Sequence, residues 1–244
     1  MAFTPVKKHS IADAITRQIL GQILKGLIKP GERLPPEREL AVTFDTNRNT
    51  LREAIRNLQT LNVVEARQGD GLKVRDFREC GELNLLPHYL REAPDTDELM
   101  AVLEDVLHVR RLLLADVCTL VAARATPAQL DAIHALVDLQ RAQADEPEKL
   151  VRTDLDISLA LVKASRSITS RWLFNSVARV YTEIVFQFPA LWVFTPDYAD
   201  NYDAVVAAAR TGDGQKARTI MDAHLDQSDR AILDAVRALS SMMG

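Results

Sequence analysis

The sequence predicts a mainly α-helical protein with a small head of three helices and a β-ribbon, followed by an antiparallel bundle of six or seven helices. Three observations predict it. Residues 34–74 set a proline-opened short helix, a turn, a second helix and a glycine-punctuated hairpin in a row. From Asp97 onward, apolar residues recur at helical spacing throughout. The charge is also divided: 14 Lys and Arg stand against 9 Asp and Glu up to residue 78, and 16 stand against 25 beyond it, although the whole chain carries only −4. A basic head on an acidic body orients the head towards a polyanion.

In chain order, residues 1–8 read as a loose arm whose Lys7 and Lys8 can reach phosphate. Ser10 caps a first helix with Ile11, Ile15, Ile19, Ile23 and Leu27 along one side, and Lys29-Pro30-Gly31 ends it. Pro35 and Pro36 suit the first turn of the next helix, where a missing N–H costs nothing. Glu37 and Glu39 complement its positive end, and Leu40, Ala41 and Phe44 give it a buried side. Asp45 and Thr46 make the turn. Asn47 caps a helix that runs to about Leu61, with Leu51, Ala54, Ile55, Leu58 and Leu61 in 3.6-residue rhythm. Arg48, Asn49, Arg52 and Arg56 lie on its opposite face. Val63 and Val64 open a β-ribbon, residues 67–71 turn it, and Leu72 to Val74 return.

That order of elements is a winged helix-turn-helix over residues 1–75, with a small β-wing. Such a helix presents its N-terminal residues to the major groove, where guanidinium groups bond guanine or grip phosphate. Arg48, Asn49 and Arg52 are the base-edge candidates, and Arg38 and Thr50 the phosphate candidates. The glycines of the wing tip allow close approach to the DNA backbone or minor groove. An arginine-rich helix face alone can equally be a solvated surface. The proline-opened helix, the capped second helix and the glycine wing together favour the DNA-binding reading.

Residues 76–96 form a linker too apolar for a free tether, with Leu83, Leu85 and Leu86, and read as a short helical segment packed against one or both domains. The helical domain spans residues 97–244. Its first helix, about 97–124, carries Leu103, Val106, Leu113, Val117 and Val121 on one side. Thr126-Pro127 opens the next, with Leu130, Ile133, Leu136 and Val137. Glu146-Pro147 precedes a helix at about 148–165. Residues 168–188 make the most apolar helix, with Leu173, Val177, Val180, Ile184 and Phe188. A loop around Pro189 and Pro196 leads to a helix at about 200–210, and Gly212-Asp213 separates it from the last, about 215–239.

Polar residues on apolar stripes are the informative ones in this domain. Arg110 sits between Val106 and Leu113, where a guanidinium must be paired, snorkel out, or meet an anionic ligand. Asp154 and Ser158 share a helix face, His224 lies on the inner side of the last helix, and Tyr202 lies one turn before Val205 and Val206. Nine of the 13 aromatics fall between residues 172 and 202. Such a cluster suits a core, and also an apolar cavity with a few polar groups.

PPERELA followed by NRNTLREAIRNLQTLNVVEARQGDGLKV resembles the N-terminal domain of the GntR family of bacterial repressors, over nearly all of residues 9–75. The resemblance implies that Arg38, Arg48, Asn49, Thr50, Arg52, Gln68 and Gly69 fall where the family touches operator DNA. The chain departs from the family at Asn49, where a small hydroxyl residue is common, and at Asp70, an acid at the wing tip where repulsion from phosphate is expected.

The C-terminal part resembles the helical effector domain of the FadR branch, through HVRRLLL around Arg110, TDLDISLALVKAS from Thr153, and YDAVVAAARTGDGQKARTIMDAHL from Tyr202. In many relatives an aspartate and three histidines there bind a divalent metal that helps hold a carboxylate. Mapped by residue, Asp154 and His224 keep two of those ligands, while Ser158 and Tyr202 replace the others. A hydroxyl and a phenol are poor substitutes at a zinc or nickel site, so no tight metal site and no cofactor are expected. The linker and the segment from Ser176 to Val185 look more like the acyl-CoA-binding FadR proteins. By that resemblance Arg110, Tyr181 and Tyr202 line an acyl pocket, and Asp154, Ser158 and His224 complete the effector site.

The expectation is therefore a homodimeric, cytoplasmic transcriptional regulator. Two recognition helices reading half-sites of double-stranded operator DNA need a two-fold protein. A small molecule, either an acyl-CoA or a carboxylate, controls its affinity for that DNA. A metal-assisted carboxylate sensor and a ligand-independent DNA binder are the alternatives. An enzyme is not expected: there is no activated Ser or Cys arrangement, no glycine-rich phosphate loop and no complete metal set. No apolar run is long enough to span a bilayer. Cys80 and Cys118 lack metal-ligand spacing and read as free thiols in a reducing compartment.

Overall fold

The computed structural model describes residues 11–67, 69–92, 96–187 and 194–243, and divides into two compact units, residues 1–94 and 95–244.

The first unit packs three helices, α1 (Ile11–Leu24), α2 (Glu37–Thr43) and α3 (Arg48–Thr60), against a hairpin of β1 (Val64–Arg67) and β2 (Gly71–Val74). The antiparallel register runs from Val64 opposite Val74 to Arg67 opposite Gly71. The segment before α2 is stitched onto β2: Leu34 N–H donates to the Leu72 carbonyl at 2.9 Å, and Val74 N–H to that of Glu32 at 2.8 Å. The wing is thus anchored to the chain that feeds the helix-turn-helix. Ile15, Ile19 and Ile23 of α1 are buried against Leu51, Ala54, Ile55 and Leu58 of α3. Two of the residues expected on the buried side of α1 are not there. Gly26, at φ +70°, ends the helix in the left-handed region, and Leu27 beyond it is exposed. Ile11, in the first turn, is also exposed.

Beyond the wing come α4 (Phe77–Cys80), a single 3-10 turn (Leu83–Leu85) and α5 (Leu86–Glu92). Phe77 and Leu85 are buried in the core of the first unit, Tyr89 packs on Phe77 with ring centroids 5.7 Å apart, and Glu92 pairs with Lys25 at 2.7 Å. Asp76 caps α4 by accepting from the Arg78 N–H at 3.0 Å.

Among the described residues the second unit is six helices: α6 (Thr96–Arg124), α7 (Pro127–Ala142), α8 (Pro147–Ala164), α9 (Ile168–Gln187), α10 (Tyr198–Arg210) and α11 (Gly214–Met243). Thr126 and Gln129 close a reciprocal capping box at the start of α7, with Pro127 in its first turn. The loop expected around Pro189 lies partly outside the described residues, as do Gln68, Phe188 and Trp192. α10 begins at Tyr198, two residues earlier than expected, so Tyr198 and Tyr202 stand one turn apart on one helix. The core runs through Leu114, Val117 and Val121 of α6, Ile157 and Leu161 of α8, Val205 of α10 and Met221 and Leu225 of α11. Among the described residues, no helix is long and apolar enough to cross a membrane.

Leu161 is fully buried, whereas Leu159, on the same helix, is 42% exposed. Leu161→Ala should cost about 2–5 kcal/mol in urea unfolding of the second unit, and Leu159→Ala within about 0.5 kcal/mol. Equal losses from the two would contradict this packing of α8.

Candidate functional site

Two places hold the functional candidates, one in each unit. In the first, Asn47 adopts extended backbone and its side-chain oxygen accepts from the Thr50 N–H at 2.9 Å, which starts α3 cleanly. With Leu51, Ala54, Ile55 and Leu58 buried, helical geometry leaves Arg48, Asn49, Arg52 and Arg56 on the outer face, all exposed. Thr50 is half-buried at the edge of that face, and Arg38 is exposed on α2. Arg52 is not free: its Nε donates to Glu37 Oε2 at 3.0 Å, tying α3 to α2 and fixing the guanidinium. Gly69 stands exposed at the wing tip with φ +79°, and Gly71 follows at +80°, conformations that side chains rarely adopt. Gln68 lies outside the described residues.

The acid at the wing tip is answered by the protein itself. The Asp70 carboxylate pairs with the Arg33 guanidinium, so the repulsion expected towards phosphate is largely offset. Sequence reasoning missed Arg33, and saw Glu37 only as a complement to its helix N-terminus and not as the partner of Arg52. The signal for Arg33 was three-dimensional, because it meets the wing through a backbone bridge to Lys73 and through its pairing with Asp70, neither of which is local in the sequence.

The second place is a knot of polar groups inside the bundle. Arg110, Asp154, Ser158, His224 and Asp229 are all buried. Arg110 Nη2 donates to Asp229 Oδ1 at 2.6 Å, and the guanidinium lies 4.8 Å from the centroid of the Tyr181 ring. Its Nε has no hydrogen-bond partner among the described residues. Asp154 accepts from two phenols on one oxygen: Tyr198 OH at 3.0 Å and Tyr202 OH at 2.7 Å, both onto Oδ1. The His224 ring stands edge-to-face on both tyrosines, with centroids 4.3 Å and 4.9 Å away, and its Nε2 has no hydrogen-bond partner among the described residues.

Arg110, Asp154, Ser158 and Tyr181 line a cavity together with Leu114, Leu155, Phe174, Val177 and Ala178. Four of the six predicted effector residues therefore meet at one space, while Tyr202 and His224 stand behind Asp154. The cavity is small, about 260 Å³ with its mouth included. Burial, helped by the neighbouring Asp154 charge, raises the Tyr198 and Tyr202 phenols well above their usual range, so both remain hydrogen-bond donors. Burial pushes His224 down to about 4, which leaves a neutral imidazole at physiological pH. Two residues here went unmarked in the sequence. Asp229 lies four residues after Leu225, on the same inner face of α11, and Tyr198 lies one turn before Tyr202. Their spacing showed the helix face that each shares, but not the partner that each meets.

The donor set does not fit a transition metal. Tyr202 takes the position of a ligand and spends its hydroxyl proton on Asp154, and Ser158 offers only a hydroxyl. Among the described residues no group of three or more His, Cys, Asp or Glu gathers as at a metal site. Both cysteines are free thiols, and burial pushes Cys118 up to about 12.

Residues 11–74 match the model for bacterial regulatory proteins of the gntR family, and residues 105–227 match the FCD domain. The transcriptional regulator Mce2R of Mycobacterium tuberculosis is 31% identical, over 91% of this chain and 93% of its own. The regulator LutR of Bacillus subtilis is 31% identical, over 83% and 92% respectively. A GntR family member from Pseudomonas syringae shares the fold, with a TM-score of 0.51 at 16% identity over 99% of this chain and 92% of that one. These families and relatives are transcriptional regulators, not enzymes.

The depressed pKa of His224 makes stability depend on pH. Between about 6.5 and about 4 the unfolded chain takes up this proton and the folded one does not. The contribution is complete above about pH 6.5 and is lost as pH falls through that window, by up to about 3 kcal/mol. Urea titrations should show His224→Gln flattening the acid limb. An unchanged slope in that variant would contradict a buried neutral His224.

Proposed function

The chain belongs to the GntR family of bacterial regulatory proteins and carries an FCD domain, so it is a transcriptional regulator, and we propose that it is a homodimer whose grip on operator DNA is set by a small molecule bound beside Arg110. One observation carries the DNA half. The capped α3 turns Arg48, Asn49, Arg52 and Arg56 to solvent while its other side closes the core of the first unit. Arg48 and Asn49, in the first turn, are placed to reach base edges in the major groove. Arg52, held by Glu37, exchanges that partner for DNA or orients from it. Arg38, Thr50, Gln68 and Gly69 serve the phosphates and the wing contact. Operator DNA in a bacterium puts the protein in the cytoplasm.

The effector half rests on the cavity. A buried guanidinium with an unpartnered Nε, beside Ser158 and an apolar wall, suits a compact molecule with a hydrogen-bond acceptor. The small, nearly closed space favours such a molecule over a long-chain acyl-CoA. Its binding would repack α6, α8 and α9, and thereby couple to the DNA-binding heads as a free-energy linkage between two sites.

Arg48→Ala should weaken operator binding by about 1–3 kcal/mol and relax its selectivity, as read by titration against selected and scrambled DNA. Wild-type affinity and selectivity in that variant would remove α3 from the groove. Removing Arg110 alone would strand Asp229, at a cost of about 3–5 kcal/mol. The paired variant Arg110→Gln with Asp229→Asn avoids that. It should keep DNA affinity and lose the effector response in the same assay, and a normal response would take Arg110 out of the site.

A further inference from the structure

Arg48, Arg52 and Arg56 stand four residues apart and share the outer side of α3. Like charges at that spacing repel, and a free arginine side chain samples many rotamers. Of the three, Arg52 alone has an ion-pair partner among the described residues. Glu37, the first residue of α2, accepts from its Nε at 3.0 Å. Both ends of the pair stand on fixed backbone. Pro36 sets the chain ahead of Glu37 at φ −52° and ψ 145°, Leu40 and Ala41 of α2 are buried in the core of the first unit, and Asn47 caps α3. A guanidinium has five N–H groups, one on Nε and two on each Nη. Among the described residues neither Nη of Arg52 has a hydrogen-bond partner, so the end of the fork is uncommitted.

We infer that Glu37 is a positioning residue for sequence reading: it holds Arg52 by Nε so that the two Nη groups bond O6 and N7 of one guanine in each half-site. The inference rests on the reading of α3 as the helix that enters the major groove. Arg52 lies one turn beyond Arg48 on the same side, where a side chain of that length reaches a base edge. A bidentate contact to guanine needs the guanidinium in one plane and one direction. A side chain already held that way loses less freedom on making the contact. The pair does not exist to hold the fold together: its side chains are 59% and 38% exposed, and such pairs add little stability. Nor does it serve affinity. A carboxylate beside the DNA-facing side of α3 repels phosphate and weakens binding to every sequence alike. What Glu37 can raise is discrimination between bases.

The test uses the full chain and DNA that it selects from a random library, with affinities measured for every single-base change in one half-site. Arg52→Ala should lose the preference for one G·C pair, worth roughly tenfold or more in the wild type, and keep the preferences elsewhere. Glu37→Ala should lose the preference at that same pair, although its affinity for scrambled DNA rises with the removal of a negative charge. Glu37→Gln, whose amide oxygen still accepts from Nε, should retain it. In the double variant the loss at that pair should equal that of Arg52→Ala alone. The inference is overturned if Glu37→Ala keeps the preference while gaining affinity, which would make Glu37 a competitor of DNA for Arg52. It is overturned if Arg52→Ala weakens all sequences equally and lowers the salt slope by about one, the mark of a phosphate contact. Equal losses in Glu37→Ala and Glu37→Gln, spread over all positions, would make the pair structural and overturn it too. In each of these cases, lost selectivity in Arg48→Ala would leave α3 in the groove and remove only the role of Glu37. Selectivity retained in Arg48→Ala, or no sequence selected by the wild type, would bring down the reading of α3 and this inference with it.

Discussion

The second domain is arranged around the need to satisfy one buried carboxylate. Asp154 sits on α8 at the centre of the bundle, and an anion there is tolerated only if donors surround it. Two tyrosines one turn apart on α10 supply them, and their rings pack around a His224 that burial keeps neutral. The register of α10 against α8 and α11 follows from this. A shift of one residue would swing both hydroxyls away from Oδ1. Across the cavity, the pair of Arg110 with Asp229 fixes α6 against α11 in the same way. Apolar packing supplies the bulk of the stability. The polar groups select one arrangement of helices from the several that packing alone would permit.

The first domain solves a different problem, that of keeping a cationic surface ready without a partner present. α3 does so by division of labour between its two faces, and local pairs restrain what it exposes. Glu37 holds Arg52, and Arg33 offsets Asp70 at the wing. These exposed pairs add little stability. Their value lies in setting the direction of guanidinium groups and in lowering repulsion where a phosphate would approach.

Much of this was legible in the sequence, for reasons that differ from element to element. The head was readable because its signals are local: Pro36 before α2, Asn47 before α3, and glycines at the wing tip each act within a few residues. The helices of the bundle were readable from periodicity, and Thr126 and Pro147 marked two of their starts. Leu27 was misplaced because a stripe continues on paper past the point where Gly26 ends the helix. In the cavity, Arg110, Asp154, Ser158 and Tyr181 were found as polar or aromatic residues on apolar stripes. Their partners were not. Asp229 lies 119 residues from Arg110, and Arg33 meets Asp70 only across the folded wing, so neither pairing leaves a local trace. The share of each phenol in holding Asp154 likewise depends on how α10 is rotated, which spacing alone leaves open.

The account stands on α3 being the element that reads DNA. The most direct measurement is hydroxyl-radical footprinting of the full-length protein on fragments it selects from a random DNA library. The account predicts a recurrent sequence with two protected half-sites related by a dyad, each presenting its major groove to one α3. Selection of no common sequence, or protection of a single half without symmetry, would contradict it.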